Sequence, residues 1–241
     1  MTRLPIPDPA TQPGGYRRVA HSFIAPGAGL AEIAARLERE QCDMVEIDVM
    51  SRAGELVVAH SAADLKRPTL LTLESALHAL SKYLPSTMGL IVDLKGRHFE
   101  RQVVNELRLH DLTNRTLIST MELASLPLIR EQAPEIQLGW SVPKASRDYL
   151  AHFATRSLAY AALVYYRRVM PTRVIREIDR GHVDAVMAYW RVVTRELCDA
   201  VQGVGADVYA WTVDDRERVV AMKELGVTGV ITNDPEVFAT A

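Results

Sequence analysis

What most limits the possible folds of this chain is an alternation. Short apolar runs are each followed by a longer stretch with apolar residues at helical period, and the pattern repeats to the C-terminus. Such alternation predicts βα units and a parallel sheet. Arg18 to Ile24 forms the first expected strand, and Leu30, Ile33, Ala34 and Leu37 then fall at i, i+3, i+4 and i+7 of a helix. A second strand at 44–50 continues into a hairpin-like excursion at 55–60, and a helix from Leu73 to Leu84 closes that unit. Further strands are expected at 90–96, 115–120, 136–142, 184–190, 207–213 and 228–233. Ser119 with Glu122 and Asp214 with Glu217 have the spacing of capping boxes that would open helices. The stretch from about Ala145 to Arg180 reads as two helices divided at Pro171.

Eight strands, each but the last followed by a helix, predict an α/β fold, a single (β/α)8 TIM barrel. The competing arrangement is an open doubly wound sheet, but no GxGxxG or GxxxxGK loop supports it. Of 241 residues, 1–16 read as a loose N-terminal arm and 17–241 as the barrel. That leaves about 225 residues, or roughly 28 per unit, and no room for a second domain.

Composition excludes several classes. With 28 basic and 30 acidic residues the net charge is −2, which offers no general attraction to nucleic acid or to an anionic membrane. The N-terminus has four prolines among its first 13 residues and no apolar run, so neither a signal peptide nor a transmembrane segment is expected there. Cys42 and Cys198 are too few for a disulfide framework, which points to a reducing, cytoplasmic setting.

Barrel active sites lie at the C-terminal ends of the strands, so polar residues late in apolar runs are the candidates. Glu46 and Asp48 are two residues apart on one strand, as are Asp93 and Lys95 on the next, and each pair therefore shares a face. Three carboxylates converging in a barrel mouth repel one another unless a cation lies among them, and hard oxygen donors suit Mg²⁺ or Ca²⁺. The competing reading is ion pairing, with Lys95 neutralising a carboxylate. His21 and His60 end strand-like runs and could act as an acid–base pair, in an order the residues leave open. Of the other histidines, only His98 is placed to support the site. Trp140, Trp190 and Trp211 fall toward strand ends, where inward-facing rings would wall a pocket and outward-facing ones would join the core.

From VAHSF through VEIDVMSRAGELVVAHS, LTLESAL and IVDLKG to VYAWTV and GVITNDP, the chain resembles the glycerophosphodiester phosphodiesterase family. The resemblance implies a (β/α)8 barrel and one divalent cation at Glu46, Asp48 and Asp93. It also implies an acid–base pair at His21 and His60, with Lys95 on the phosphate. The substrate would be a small-molecule phosphodiester such as a glycerophosphodiester or a lysophospholipid-like diester, cleaved to an alcohol and glycerol phosphate. Departures are also visible. The usual His-Arg-Gly is His21-Ser22-Phe23, the Glu-Asn-Thr motif is replaced by residues 25–29, and Ser61 and Asp93 stand where aspartate and glutamate are usual. Lys144 and Arg191 are the candidates to replace the missing arginine.

The Asp-Leu-Lys-Gly run is similar to that of sphingomyelinase D-type phospholipases. Their site would correspond to His21, Glu46, Asp48, His60, Asp93, Lys95 and Trp211 and would make the enzyme a lyase forming a cyclic phosphate. A third reading is a noncatalytic barrel that binds a phosphate ligand.

Overall fold

The computed structural model describes residues 6–12, 14–25, 27–144 and 156–239. Nine strands are present: β1 (Arg17–Ala20), β2 (Met44–Arg52), β3 (Glu55–Val58), β4 (Gly89–Leu94), β5 (Thr116–Thr120), β6 (Gln137–Val142), β7 (Ala185–Tyr189), β8 (Asp207–Trp211) and β9 (Gly229–Thr232). Eight are parallel and run in the order β1-β9-β8-β7-β6-β5-β4-β2, and a β1–β2 pairing closes the ring. The ninth, β3, lies antiparallel on β2. This is the (β/α)8 barrel that the alternation predicts, with β3 as the excursion.

The helices are α1 (Leu30–Arg39), α2 (Leu73–Tyr83), α3 (Glu100–Leu109), α4 (Ser125–Gln132), α5 (Arg156–Asp179), α6 (Arg195–Gln202) and α7 (Arg216–Leu225). Each strand's two-residue period sorts its side chains. Val45, Ile47, Val49, Leu90, Val92, Ile118, Leu138, Val186 and Val208 point outward into one continuous core under the helices. Val19, Met44, Ile91, Leu117, Met187, Tyr209 and Ile231 fill the interior instead. Gly229 is required there, because a Cβ would collide with the ring of Tyr209.

The N-terminal arm is not loose where it is described. Ile6 is buried in the interior cluster, and Arg17 donates to the Pro7 carbonyl and, at 2.8 and 2.9 Å, to Asp207 and the Tyr209 hydroxyl. The arm therefore seals the floor of the barrel, where Pro7 supplies an acceptor to a guanidinium removed from water.

Three other expectations are corrected. Ser119 faces inward and is no cap; α4 starts only at Ser125, and the Thr120 hydroxyl meets the Glu122 amide. The cap of α7 is Asp215, which accepts from the Arg218 amide, so Asp214 is free for another task. Pro171 does not divide α5, which is one helix through it; proline removes one helical donor, and packing against α6 and the core holds the remainder. The earlier part of that stretch, 145–155, lies outside the described residues. No described helix is long and apolar enough to cross a membrane.

Candidate active site

The mouth is built by register. Asp48 of β2 lies beside Asp93 of β4, which lies beside Ser119 of β5, so three inward polar side chains form one row. Glu46 sits one inward position deeper on β2. The Glu46, Asp48 and Asp93 carboxylates are buried, and one oxygen from each lies within 4.8 Å of the others. Lys95, two residues beyond Asp93, places its ammonium 2.8 Å from Asp48 Oδ1 and 2.5 Å from Asp93 Oδ2. Asp93 also accepts from Ser119 Oγ at 2.5 Å.

Both expected histidines reach this cluster. His21 and His60 face each other with ring centroids 5.5 Å apart and planes at 86°. His60 Nδ1 lies 2.9 Å from Asp48 Oδ2, and His21 Nε2 lies 3.8 Å from Glu46 Oε2. Ser22 has a left-handed backbone (φ 42°) that aims its amide at Glu46 Oε2 and its hydroxyl at Asp48 Oδ2, both at 2.6 Å. In place of a cation next to the first histidine, the chain has a short neutral donor spent on the carboxylates.

Electrostatics follow from burial. Desolvation, then the neighbouring Asp48, push the Glu46 carboxyl well above the usual carboxylate range. Asp48 is held below its ordinary value despite burial, by the hydrogen bond with His60 and the charge of Lys95. His60 is raised, chiefly by that same hydrogen bond. Desolvation opposes the charge on Lys95, but Asp93 and Asp48 outweigh it and raise its pKa.

The donor set suits a divalent cation. Counted as ions, the three carboxylates exceed the Lys95 ammonium and the His60 imidazolium by one negative charge, and Asp48 Oδ1, although near Lys95, lacks a hydrogen-bond partner of proper geometry among the described residues. All the donors are hard oxygens.

The tryptophans divide. Trp211 is on the cavity wall, and its indole N–H donates to the Met187 carbonyl at 2.7 Å. Trp140 does not line the cavity: in β6 the inward positions are Gly139 and Ser141, and Trp140, 6% exposed, joins the outer core beneath Arg173. Trp190 is likewise outward, since Tyr189 takes the inward phase; the guanidiniums of Arg191 and Arg218 lie 4.3 and 4.0 Å from its ring centroid. Arg191 is thereby withheld from the cavity, whereas Lys144 reaches its edge, paired with Glu122 at 2.5 Å. His98 is exposed and outside the cavity.

Sequence reasoning missed the support of His21. Its Nδ1 lies 2.7 Å from Asn233 Oδ1, and Asp214 accepts from both the side chain and the backbone amide of Asn233, each at 2.8 Å. The signal was present in two polar residues closing the last two strands. The cavity holds about 860 Å³, and Met50, Met121, Met187, Ile91, Ile231 and Trp211 give it apolar walls around the charged floor.

Comparison with known proteins places the chain. Residues 92–237 match the glycerophosphoryl diester phosphodiesterase family. A glycerophosphodiester phosphodiesterase of Caldanaerobacter subterraneus subsp. tengcongensis is 24% identical over 137 residues, which are 57% of this chain and 46% of that protein. The match thus spans less than half of that relative. A solved glycerophosphodiester phosphodiesterase of Parabacteroides distasonis superposes with a TM-score of 0.67 at 18% identity, covering 92% of this chain and 94% of the other. A phosphodiesterase of Oleispira antarctica, solved with the product sn-glycerol-3-phosphate, does so with a TM-score of 0.62 at 19% identity, covering 92% and 95%. At these identities the structures attest the barrel, and the family match extends from β4 to the turn after β9. Together they show that the chain belongs to the glycerophosphoryl diester phosphodiesterase family.

Proposed function

We propose that this protein is a metal-dependent phosphodiesterase that cleaves glycerophosphodiesters, or lysophospholipid-like diesters, to an alcohol and glycerol phosphate. The observation that carries this reading is the pair of imidazoles facing each other above three buried carboxylates and an ammonium. Family membership and the product-bound Oleispira antarctica relative support the substrate class.

Glu46, Asp48 and Asp93 would hold one divalent cation, Mg²⁺ or Ca²⁺, which when bound supplies Lewis-acid polarisation of the phosphoryl oxygens. The chain's own groups do the rest. Lys95 balances charge that develops on the phosphate in the transition state. The two histidines divide the proton transfers, and their hydrogen bonds support one assignment. Asn233 donates through its amide nitrogen to Asp214, which turns its oxygen toward His21, and an amide oxygen only accepts. His21 therefore carries its proton on Nδ1, which leaves Nε2 free as the general base that takes a proton from the attacking water as its oxygen bonds to phosphorus. His60 hydrogen-bonds a carboxylate that favours its charged form, so it is the proton donor to the departing alkoxide. Trp211 and the methionines wall the alcohol moiety. A cytoplasmic location belongs to the same reading, supported by Cys42 and Cys198 being buried and unpaired.

The test is turnover of glycerophosphocholine and of a lysophospholipid with Mg²⁺ or Ca²⁺, followed by phosphorus NMR. Glycerol phosphate, or its lysophospholipid counterpart, is the expected product. A persistent cyclic phosphate would identify lyase chemistry of the sphingomyelinase D kind. Binding of phosphate ligands without turnover of any diester would leave only the noncatalytic barrel.

A further inference from the structure

Helix α5 is longer than its position requires. It has 24 residues, whereas the other described α-helices have 8 to 11. It runs back from the mouth toward the start of β7, and its level at the rim is marked by Arg167, whose Nε donates at 2.8 Å to the carbonyl of Arg191, just past the end of β7. The turns before Arg167 thus stand beyond the mouth, reaching about 10 Å at Tyr160 at 1.5 Å per residue.

These turns are apolar where water should favour polar side chains. Tyr160, Val164 and Tyr165 are 62%, 51% and 64% exposed, and Tyr160, Val164 and the exposed Arg168 recur every fourth residue along one face. Leu163 and Tyr166 point to the core, so the exposed set is not a misplaced interior face. Charge is equally one-sided: Arg156, Arg167 and Arg168 fall in these turns and at the rim, and no acidic residue occurs between Asp148 and Glu177. Trp190 and Arg191 extend the aromatic and basic character along the adjoining rim.

We propose that the projecting turns of α5 dock the barrel mouth onto the surface of an anionic lipid bilayer. Tyrosine and valine insert at the interface while arginine reaches the headgroup phosphates, a division of labour suited to interfacial helices. The acid-free stretch selects an anionic surface over a neutral one. Docking does not require that the barrel cleave diesters; combined with the function proposed above, it delivers a membrane diester to the cavity from the lipid side.

Flotation of the full chain with vesicles of phosphatidylcholine alone, or with one third phosphatidylglycerol, tests this without turnover. The protein should float with the anionic vesicles, and the Tyr160→Ser, Tyr165→Ser, Arg168→Glu triple variant should partition roughly tenfold less. Arg168→Glu alone should weaken binding in the same direction, and Leu109→Ser, an exposed change on α3, should not. Turnover of soluble glycerophosphocholine should be the same in wild type and triple variant, so a failure of docking is distinct from a failure of the proposed chemistry. The proposal is overturned if the wild-type chain does not float, if it floats equally with neutral vesicles, or if the triple variant floats unchanged. Conversion of a wild-type dimer into a monomer by the triple substitution, read by light scattering, would also overturn it, because that face would then pair two copies of the chain.

Discussion

His21 and His60 present their Nδ1 atoms to different oxygens: the amide Oδ1 of Asn233 at 2.7 Å and the carboxylate Oδ2 of Asp48 at 2.9 Å. An amide oxygen fixes the tautomer of the ring it faces, whereas a carboxylate also stabilises the imidazolium. In the proposed mechanism this sets two residues of one type, 5.5 Å apart, to opposite tasks.

In the proposed mechanism Asn233 is a positioning residue, and its substitution should separate binding from chemistry. Asn233→Leu leaves no acceptor for His21 Nδ1–H and should lower kcat by roughly tenfold to a hundredfold, in keeping with the loss of an orienting partner, with KM little changed. Asp214→Asn should act in the same direction through the amide it holds. Steady-state kinetics on a soluble glycerophosphodiester checks both.

Chelation should abolish turnover and leave the barrel folded, since an apolar core rather than the carboxylate cluster holds it together. Glu46→Gln keeps the shape and removes one anionic donor. Calorimetric titration with Mg²⁺ and with Ca²⁺ should show binding weakened by at least about tenfold, and circular dichroism should be unchanged.

The tryptophans should separate by phase along their strands. Trp140→Ala removes a ring from the outer core and should cost about 3–5 kcal/mol of stability, with KM preserved in the protein that remains folded. Trp211→Ala, on the cavity wall, should raise KM and cost less in stability. Denaturant unfolding alongside kinetics distinguishes the two.

Burial leaves both thiols inert. It raises Cys42 to about 12 and Cys198 to about 11, so almost no thiolate forms at pH 8. A disulfide-exchange reagent at that pH should find no reactive thiol in the native protein and both after denaturation.

Much of this was legible in the sequence, because charge inside an apolar run has few tolerable destinations. Glu46, Asp48, Asp93 and Lys95 announced themselves that way, and their two-residue spacing put each pair on one face. The structure brings them together with both histidines. The phase of the tryptophans was harder to read: Trp140 and Trp190 carry no charge to mark which face is inward, and the inward polar neighbour Ser141 is a weak marker. Asp214 was hidden by Asp215, an equally good cap one residue away. The seating of the N-terminal arm depends on Arg17 meeting Asp207 and Tyr209 across the closed barrel, a contact between residues 190 and 192 positions apart that no local pattern contains.

The division of labour between the histidines is tested most directly by leaving-group dependence. Each is replaced by alanine, and cleavage of an alkyl glycerophosphodiester is compared with that of its p-nitrophenyl counterpart, whose leaving group needs no proton. His60→Ala should lose roughly 10²–10⁴-fold on the alkyl diester and recover most of that loss on the p-nitrophenyl ester, while His21→Ala should stay impaired on both. Equal losses of His60→Ala on the two substrates, or rescue of His21→Ala instead, would contradict the assignment of base and acid.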